Sequence, residues 1–182
     1  MIEMIPAWVE GVLQPVEKLK AHQLGLRHKA VSVFVLRGPQ MLLQQRALGK
    51  YHTPGLWANA CCTHPKWDED SLTCAERRLR EELGIIGVSP RFSTTLEYRA
   101  DVGQGLTEHE LVDVFCAEAA EAMTVDPSPE EIADYRWIQI DDLRAEIARE
   151  PERFTPWLKI YVSDYAEQIF ASYVGPWQRK PA

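Results

Sequence analysis

Asp70-Ser-Leu-Thr-Cys-Ala-Glu-Arg-Arg-Leu-Arg-Glu-Glu-Leu-Gly84 is the stretch of this chain that most constrains its fold. Its apolar side chains recur three or four residues apart, which is helical spacing, at Leu72, Ala75, Leu79 and Leu83. Asp70 or Ser71 supplies a polar cap at the start, and Gly84 suits the left-handed end of a helix. The segment therefore predicts a helix over residues 71–83 with a charged outer face.

Strand-like segments lie on both sides of this helix. Residues 30–36 form an apolar, β-branched run typical of a buried strand, and Gly38-Pro39 followed by residues 41–46 indicates a hairpin. The remaining expected elements are strands at 92–99, 111–119 and 135–140 and helices at 141–150 and 155–173. Asp141 is the expected cap of the first of these two helices. This order predicts one mixed α/β, or α+β, domain.

Composition excludes several classes of function. The chain has 182 residues, of which 46% are hydrophobic and 26% charged, and its formal net charge of −7 argues against a nucleic-acid partner. No apolar run reaches membrane-spanning length, and the first residues lack the layout of a signal peptide. Four cysteines, two of them adjacent, are more typical of free thiols than of disulfides. We expect a cytoplasmic protein without a membrane partner, and by default a monomer.

The loop at residues 50–65 carries the most reactive side chains. Residues 57–65 read Trp-Ala-Asn-Ala-Cys-Cys-Thr-His-Pro and place Cys62 and His64 two positions apart. In an extended segment such side chains point to the same side. A thiol that can move a proton and an imidazole that can bind a metal are therefore expected to face one cavity. Cys61 has no role that the sequence assigns.

Residues 77–85, with Glu69 eight positions before Arg77, resemble the helix signature of the Nudix family, Gly-x5-Glu-x7-Arg-Glu-U-x-Glu-Glu-x-Gly-U, in which U is apolar. That family uses the carboxylates of the helix to hold a divalent metal against a diphosphate. Thr63 replaces the first Gly of the pattern, and Arg78 replaces the first Glu of the Arg-Glu pair. The loss of a metal-holding carboxylate argues against hydrolysis, and Thr63 would be strained if the loop required a positive φ there.

Further motifs point to one branch of that family. His22, His28, residues 57–65, Thr-Glu-His-Glu at 107–110 and Thr-Pro-Trp at 155–157 resemble type I isopentenyl diphosphate isomerases, from about residue 20 to about residue 160. That family has a Nudix fold and interconverts isopentenyl and dimethylallyl diphosphate by adding and removing protons. The resemblance implies a Nudix-type mixed sheet sandwiched by helices in a single domain over residues 1–182. Its core would span about 28–150, and a helical segment at 151–176 would close the active site.

The resemblance also implies a metal site of three imidazoles and two carboxylates, at His22, His28, His64, Glu108 and Glu110. On a strand, Glu108 and Glu110 share a face while His109 points away. Mixed nitrogen and oxygen ligands in this number suit an octahedral Mn²⁺ or Mg²⁺ better than a closed tetrahedral Zn²⁺. A Zn²⁺ site that uses Cys62 with the histidines is the alternative. Glu82 matches the carboxylate that holds a second Mg²⁺, which accompanies the substrate.

Moving a double bond requires an acid on one face of the allyl unit and a base on the other. By resemblance, Cys62 and Glu110 are this pair, and Tyr98 supplies a hydroxyl that hydrogen-bonds to it. Protonation of the alkene creates a tertiary carbocation, which an aromatic face can stabilise through its negative quadrupole. Trp157 matches the residue with that role.

A diphosphate also requires positive charge. Arg46, Lys50 and Arg78 match substrate-phosphate positions of the family, and Lys66 is a further candidate because it is close to the active segment. The expected partner is thus a small-molecule diphosphate. Two alternatives stay open: a Nudix hydrolase that cleaves a nucleoside diphosphate derivative, and a non-catalytic module that binds metal or diphosphate. The combination of Cys62 with the other catalytic candidates favours the isomerase.

Overall fold

The computed structural model describes residues 3–173. Its strands are β1 (Met4–Val9), β2 (Val12–Glu17), β3 (His28–Arg37), β4 (Gln40–Arg46), β5 (Trp57–Asn59), β6 (Cys61–Thr63), β7 (Arg91–Asp101), β8 (Thr107–Glu118) and β9 (Ile132–Gln139). Its α-helices are α1 (Lys18–Gln23), α2 (Ser71–Leu83), α3 (Ile140–Arg149), α4 (Pro156–Asp164) and α5 (Ala166–Ile169). None of these helices is long and apolar enough to cross a membrane.

All nine strands of the described residues belong to one mixed sheet, and β3 is its hub. Strand β3 runs parallel to β8 and antiparallel to β1, β4 and β6. Strand β7 extends the sheet beyond β8, and β5 and β9 pair with β4. Nearly every residue of β3 is buried, as expected for its continuous apolar run.

Both faces of β3 are covered because its side chains alternate. Val31 and Val33 pack with Leu79 of α2 on one face. Phe34 packs on the other face with Tyr161 of α4 and with Phe170. Successive residues of a strand point to opposite faces, so an apolar residue at every position requires a layer on each side. The expected mixed sheet sandwiched by helices is therefore confirmed.

Helix α2 begins and ends where the sequence predicts. The Asp70 carboxylate accepts a hydrogen bond from the Thr73 backbone N–H at 3.0 Å, so Asp70 is the cap. Gly84 ends the helix in the left-handed conformation, with φ of +62°.

Three expectations about elements are corrected. The helix expected at 155–173 is two helices, separated at Tyr165, whose hydroxyl donates to the Glu97 carbonyl. This break redirects the chain so that Ile169 and Phe170 stay in the core. Asp141 is not the cap of α3, because β9 runs directly into the helix and Gln139 occupies the cap position without a side-chain hydrogen bond.

The third correction concerns the loop at 50–65, which contains the short strands β5 and β6. The first hairpin, β1–β2, and helix α1 were not predicted from the sequence. In the expected closing segment 151–176, residues 174–176 lie outside the described part of the chain.

Candidate active site

Four neighbouring strands set the candidate residues side by side. In the sheet register, His28 of β3 is opposite Glu110 of β8, and Tyr98 of β7 is opposite the same Glu110. Further along β3, Ser32 is opposite Cys62 of β6. Residues in register on adjacent strands have neighbouring side chains. The sheet therefore brings together residues that lie far apart in the sequence.

Four predicted metal ligands form a compact group. The donor atoms of His22, His28, His64 and Glu110 all lie within 4.8 Å of one another, and all four side chains are buried. His64 Nε2 lies 3.0 Å from Glu110 Oε1, and His28 Nε2 lies 3.6 Å from the same oxygen. One cavity is lined by Cys62, His64, Glu108 and Glu110, among other residues. His64 and Cys62 therefore face the same cavity, as their spacing predicts.

Backbone carbonyls fix the tautomers of two of these histidines. His22 Nδ1 lies 2.7 Å from the Lys18 carbonyl, and His28 Nδ1 lies 2.7 Å from the Leu26 carbonyl. Since a carbonyl only accepts, each Nδ1 carries the proton and each Nε2 keeps a lone pair. Both Nε2 atoms are buried and lack a hydrogen-bond partner among the described residues. Oriented, unpartnered lone pairs of this kind fit a metal ion.

A second group of donors includes a histidine that the sequence reasoning missed. The donor atoms of His22, His52 and Glu108 also lie within 4.8 Å of one another. His52 is 4% exposed, and its Nε2 lies 3.7 Å from Glu108 Oε1. Its position in the loop at 50–65, beside the other reactive side chains, was the sequence feature that could have indicated a role for His52.

The Tyr98 hydroxyl connects the two carboxylates. Its oxygen lies 2.8 Å from Glu108 Oε2 and 2.8 Å from Glu110 Oε2. Burial and the charge of Glu110 raise the pKa of Glu108 well above its ordinary value. Burial opposes ionisation of Glu110 too, but the imidazoles of His28 and His64, whose Nε2 atoms lie 3.6 and 3.0 Å from Glu110 Oε1, outweigh it and hold the pKa of Glu110 well below its ordinary value. Glu110 is thus the ionised member of the pair. His109 points away, toward Glu97, as predicted.

His22, His52 and His64 are in the neutral form that binds metals. Burial, together with nearby positive groups, lowers the pKa of His22 to about 4 and that of His52 to about 2. Burial also lowers the pKa of His64 well below its ordinary value. A neutral imidazole keeps one nitrogen lone pair available as a ligand.

The Cys62 thiol is held by Asn59, a residue that the sequence reasoning also missed. Cys62 Sγ donates to Asn59 Oδ1 at 3.0 Å and lies 3.4 Å from Ser32 Oγ. The Asn59 amide donates to the carbonyls of Val33 and Cys61, which fixes its orientation. Burial and the nearby carboxylates raise the pKa of the Cys62 thiol, so the sulfur keeps its proton.

Trp157 reaches the same cavity from the first turn of α4. Its side chain is 1% exposed, and its ring lies 5.3 Å from the guanidinium carbon of Arg46 and 5.9 Å from the His52 ring. The Thr155 N–H donates to the Trp57 carbonyl of β5, which anchors the start of α4 beside the sheet. The cavity therefore has an aromatic wall as well as titratable ones.

The predicted phosphate-binding cations all line this cavity. Arg46, Lys50 and Arg78 all belong to its wall, together with the unpredicted Lys18 and Glu131. A second cavity of about 540 Å³ opens beside it and shares Lys18, Lys50 and Arg78. The wall of the first cavity does not include Lys66, which is exposed, so the structure gives no support to this candidate.

Glu131 and Glu82 neutralise these cations in the described structure. Glu131 forms ion pairs with Lys50 and, at 3.4 Å, with Arg78. Glu82 Oε1 lies 2.6 Å from Arg78 Nη2, and Gln44 donates to the other Glu82 oxygen at 3.3 Å.

The acidic residues of the Nudix-like signature do not converge on one point. Glu69 accepts two hydrogen bonds from Arg77, at 2.6 and 2.7 Å, and Glu81 has a side chain that is 43% exposed. Of the signature's acidic residues, Glu82 is the one that lines the cavity. Thr63 pairs with Val31 as part of β6 and is not among the residues with positive φ, so the loop is not strained there.

Comparison with protein families and curated sequences gives two findings. The NUDIX domain model matches residues 26–158. An isopentenyl-diphosphate Delta-isomerase from Rhodobacter capsulatus is 66% identical over 168 residues, which cover 92% of this chain and 96% of the relative. A protein of the same name from Dinoroseobacter shibae is 60% identical over 172 residues, which cover 94% of this chain and 98% of the relative.

Solved structures share the fold at much lower identity. A crystal structure of a Deinococcus radiodurans protein aligns with a TM-score of 0.71 at 16% identity, covering 88% of this chain and 97% of that one. A MutT NUDIX hydrolase from Burkholderia pseudomallei aligns with a TM-score of 0.58 at 22% identity, covering 79% and 98%. These two likenesses concern the fold alone.

Proposed function

The chain belongs to the NUDIX domain family and, within it, to the isopentenyl-diphosphate Delta-isomerases, and we propose that Cys62 and Glu110 are the groups that move protons in its active site. The enzyme interconverts isopentenyl and dimethylallyl diphosphate. One observation carries the assignment of roles: a thiol that keeps its proton and a carboxylate that has lost its proton line the same buried cavity. An acid and a base are thus ready in one site.

The reaction needs both groups, because one proton is added and one is removed. Addition of a proton to the terminal methylene of isopentenyl diphosphate leaves a tertiary carbocation at the branched carbon. Removal of a proton from the allylic methylene then gives dimethylallyl diphosphate. In the described state Cys62 carries the proton to be donated and Glu110 accepts the one released, while Tyr98 positions the carboxylate. The two groups exchange roles in the reverse passage.

Trp157 is proposed to stabilise the carbocation. A tertiary carbocation has no N–H or O–H with which to form hydrogen bonds, so the negative face of an aromatic ring is the suitable neighbour. The indole is buried in the cavity wall and is anchored by the start of α4. We further propose that the segment 151–176, which carries Trp157, closes the site over the core at about 28–150.

The buried His/Glu group is proposed to hold a divalent cation through His22, His28, His64, Glu108 and Glu110. The fit rests on the unpartnered Nε2 atoms of His22 and His28 and on the neutral state of His22 and His64. When bound, such a cation would neutralise the two carboxylates and fix Glu110 in position. Mn²⁺ and Mg²⁺ suit the mixed donor set, and Zn²⁺ is the alternative.

Arg46, Lys50 and Arg78 are proposed to bind the diphosphate, with Glu82 as the ligand of a second Mg²⁺ that enters with the substrate. Lys50 and Arg78 line both the first and the second cavity, and Arg46 lines the first, so the phosphates would lie toward the second cavity and the reacting carbons deeper in the first. We also propose a cytoplasmic monomer that acts on this small molecule without a nucleic-acid or membrane partner. All four cysteines are free thiols, which supports a reducing compartment.

The proposal is tested by incubating the protein with isopentenyl diphosphate, Mg²⁺ and Mn²⁺, and following the mixture by ¹H and ³¹P NMR. We expect dimethylallyl diphosphate to form while the diphosphate signals persist. Phosphate release without a new alkene would favour a hydrolase. Absence of both reactions, with binding retained, would favour a module that binds diphosphate without catalysis.

A further inference from the structure

His52 lies against the proposed metal site, although it is not part of the ligand set that the sequence resemblance implies. Its ring stacks beside that of His22, with 5.7 Å between the ring centroids and an interplanar angle of 27°. Its Nε2 faces Glu108 Oε1 at 3.7 Å, and these atoms share a group with the buried His22 Nε2. The donor atom of His52 therefore lies within 4.8 Å of donor atoms of two predicted ligands, His22 and Glu108.

The two groups of donor atoms share His22, so they cannot hold two separate ions through that residue. Each group includes His22, whose Nδ1 is committed to the Lys18 carbonyl at 2.7 Å. His22 therefore offers one lone pair, and one lone pair binds one metal ion. The Tyr98 hydroxyl also joins Glu108 of one group to Glu110 of the other. Together the two groups contain four imidazoles and two carboxylates, and they are linked through His22 and through Tyr98.

The surrounding loop holds His52 with its Nε2 turned inward. His52 Nδ1 lies 3.1 Å from Thr53 Oγ1, and Arg46 Nη2 donates to the His52 carbonyl at 3.1 Å. Thr53 itself has a φ of +45°, which is an unfavourable conformation for a β-branched residue. Strained backbone of this kind is often retained where it aims a neighbouring group at a ligand.

We propose that His52 is a fourth imidazole ligand of the metal, which would bring the number of protein donors to six. The inference rests on the proposed metal site. Six protein donors would leave no position for a water molecule or a diphosphate oxygen, so the ion would orient and neutralise Glu108 and Glu110 rather than bind substrate. Four nitrogen donors also favour a transition metal such as Mn²⁺ over Mg²⁺, which prefers oxygen ligands and bound water.

Metal affinity without substrate tests this ligand directly. Protein freed of metal by chelation is titrated with Mn²⁺, and free Mn²⁺ is measured by its EPR signal, for the wild type, His52→Asn and His52→Ala. We expect both variants to bind Mn²⁺ roughly 10–100-fold more weakly. His109→Asn is the matched control, because His109 is an imidazole beside two ligands on β8 whose ring contacts Glu97 instead. Unchanged Mn²⁺ affinity in a folded His52 variant would overturn the inference.

A measurement on the wild type itself keeps the inference testable should both variants fail to fold. In the Co²⁺-loaded protein, each metal-bound imidazole retains one exchangeable N–H, which the paramagnetic ion shifts far outside the ordinary ¹H range. Four such signals are expected, and three would overturn the role of His52. A wild-type protein that binds neither Mn²⁺ nor Co²⁺ would instead overturn the metal site itself, and with it this inference.

Discussion

Cys62 differs from the other three cysteines in what surrounds its sulfur. Cys61, Cys74 and Cys116 are buried, whereas Cys62 is partly open and lines the cavity. Its hydrogen bond to Asn59 fixes the direction of the thiol, and burial with the adjacent carboxylates keeps the proton on it. The adjacent Cys61 lies instead against Glu82, at 3.6 Å, in the layer below α2. Two neighbouring thiols therefore have unrelated surroundings.

We expect Cys62→Ala to lower kcat by roughly 10²–10⁴-fold or more, because the site loses one of its two proton-carrying groups. The measurement is the rate at which dimethylallyl diphosphate forms, with urea unfolding as the test that the fold is kept. Cys116→Ala is the control, because its thiol is buried against the Ile169 carbonyl and is not in the cavity wall. A fully active Cys62→Ala would refute the assigned acid–base pair.

Among single residues, the sequence predicted those whose role follows from residue type and spacing. His64 and Cys62 at i and i+2, and Glu108 and Glu110 with the same spacing, do line one cavity. The missed residues depend on tertiary structure. Asn59 acquires its role from a strand paired with β4, and His52 from a loop that folds back over the sheet. Their local sequence carries no comparable signal.

Helix α2 shows how one element positions a second part of the site. Beyond its end, the Asp126 N–H donates to the Leu83 carbonyl, and the Ser128 N–H donates to the Glu82 carbonyl, each at 2.8 Å. This docked segment leads directly to Glu131, which pairs with Lys50 and Arg78 at the cavity mouth. Gly84 permits the close approach, because a Cβ there would lie 2.6 Å from the Asp126 carbonyl oxygen.

We therefore expect Gly84→Ala to lower the free energy of unfolding by at least about 2 kcal/mol, since it combines left-handed strain with a backbone collision. The measurement is urea unfolding. Gly87→Ala is the matched control: its φ is +78°, but an added Cβ would meet nothing within 4 Å. It should lose only the conformational cost, about 1 kcal/mol. Equal losses in the two variants would contradict the docking of the Asp126 segment.

A helix or strand could be predicted from the sequence where a strong hydrophobic periodicity ended at a clear stop signal. Helix α2, with its cap and its terminal Gly84, and the buried run of β3 satisfy both conditions. The segment 155–173 keeps a helical pattern of apolar residues across the break at Tyr165, because α4 and α5 bury the same side of the chain in one core. Periodicity alone does not reveal a change of direction there.

The whole molecule shares its fold with other solved structures, but the side chains of its site differ from the Nudix signature. Solved structures at 16% and 22% identity have the same fold, and one of them is named a MutT NUDIX hydrolase. In this chain Arg78 replaces a signature carboxylate, Arg77 binds Glu69, and a thiol and buried histidines line the cavity. The site rather than the fold therefore separates the isomerase from a hydrolase.

The buried histidines should make the metal-free protein sensitive to acid. The pKa of His22 is lowered to about 4, that of His52 to about 2, and that of His64 well below its ordinary value. Below about pH 6.5 the unfolded chain binds protons at these residues that the native state does not, so stability falls as pH falls. Glu108 has a raised pKa, so the native state holds one proton there that the unfolded chain lacks in this pH range. This proton partly offsets the loss of stability.

The net difference of two protons predicts that the free energy of unfolding falls by about 2 kcal/mol between pH 6 and pH 5. The measurement is urea unfolding of the chelated protein at each pH. His52→Asn should show a smaller decrease, because one of the three groups is gone, whereas His109→Asn should keep the wild-type decrease. A stability that is flat over this pH range would contradict the neutral, buried state of the cluster.

We propose that this cavity moves protons to and from carbon and leaves the diphosphate intact. The most direct measurement is incubation of the wild type with isopentenyl diphosphate in D₂O with Mg²⁺ and Mn²⁺, followed by mass spectrometry and NMR. We predict dimethylallyl diphosphate that carries deuterium in a methyl group, with no incorporation by Cys62→Ala. Product formed without deuterium, or phosphate released without isomerisation, would contradict the account.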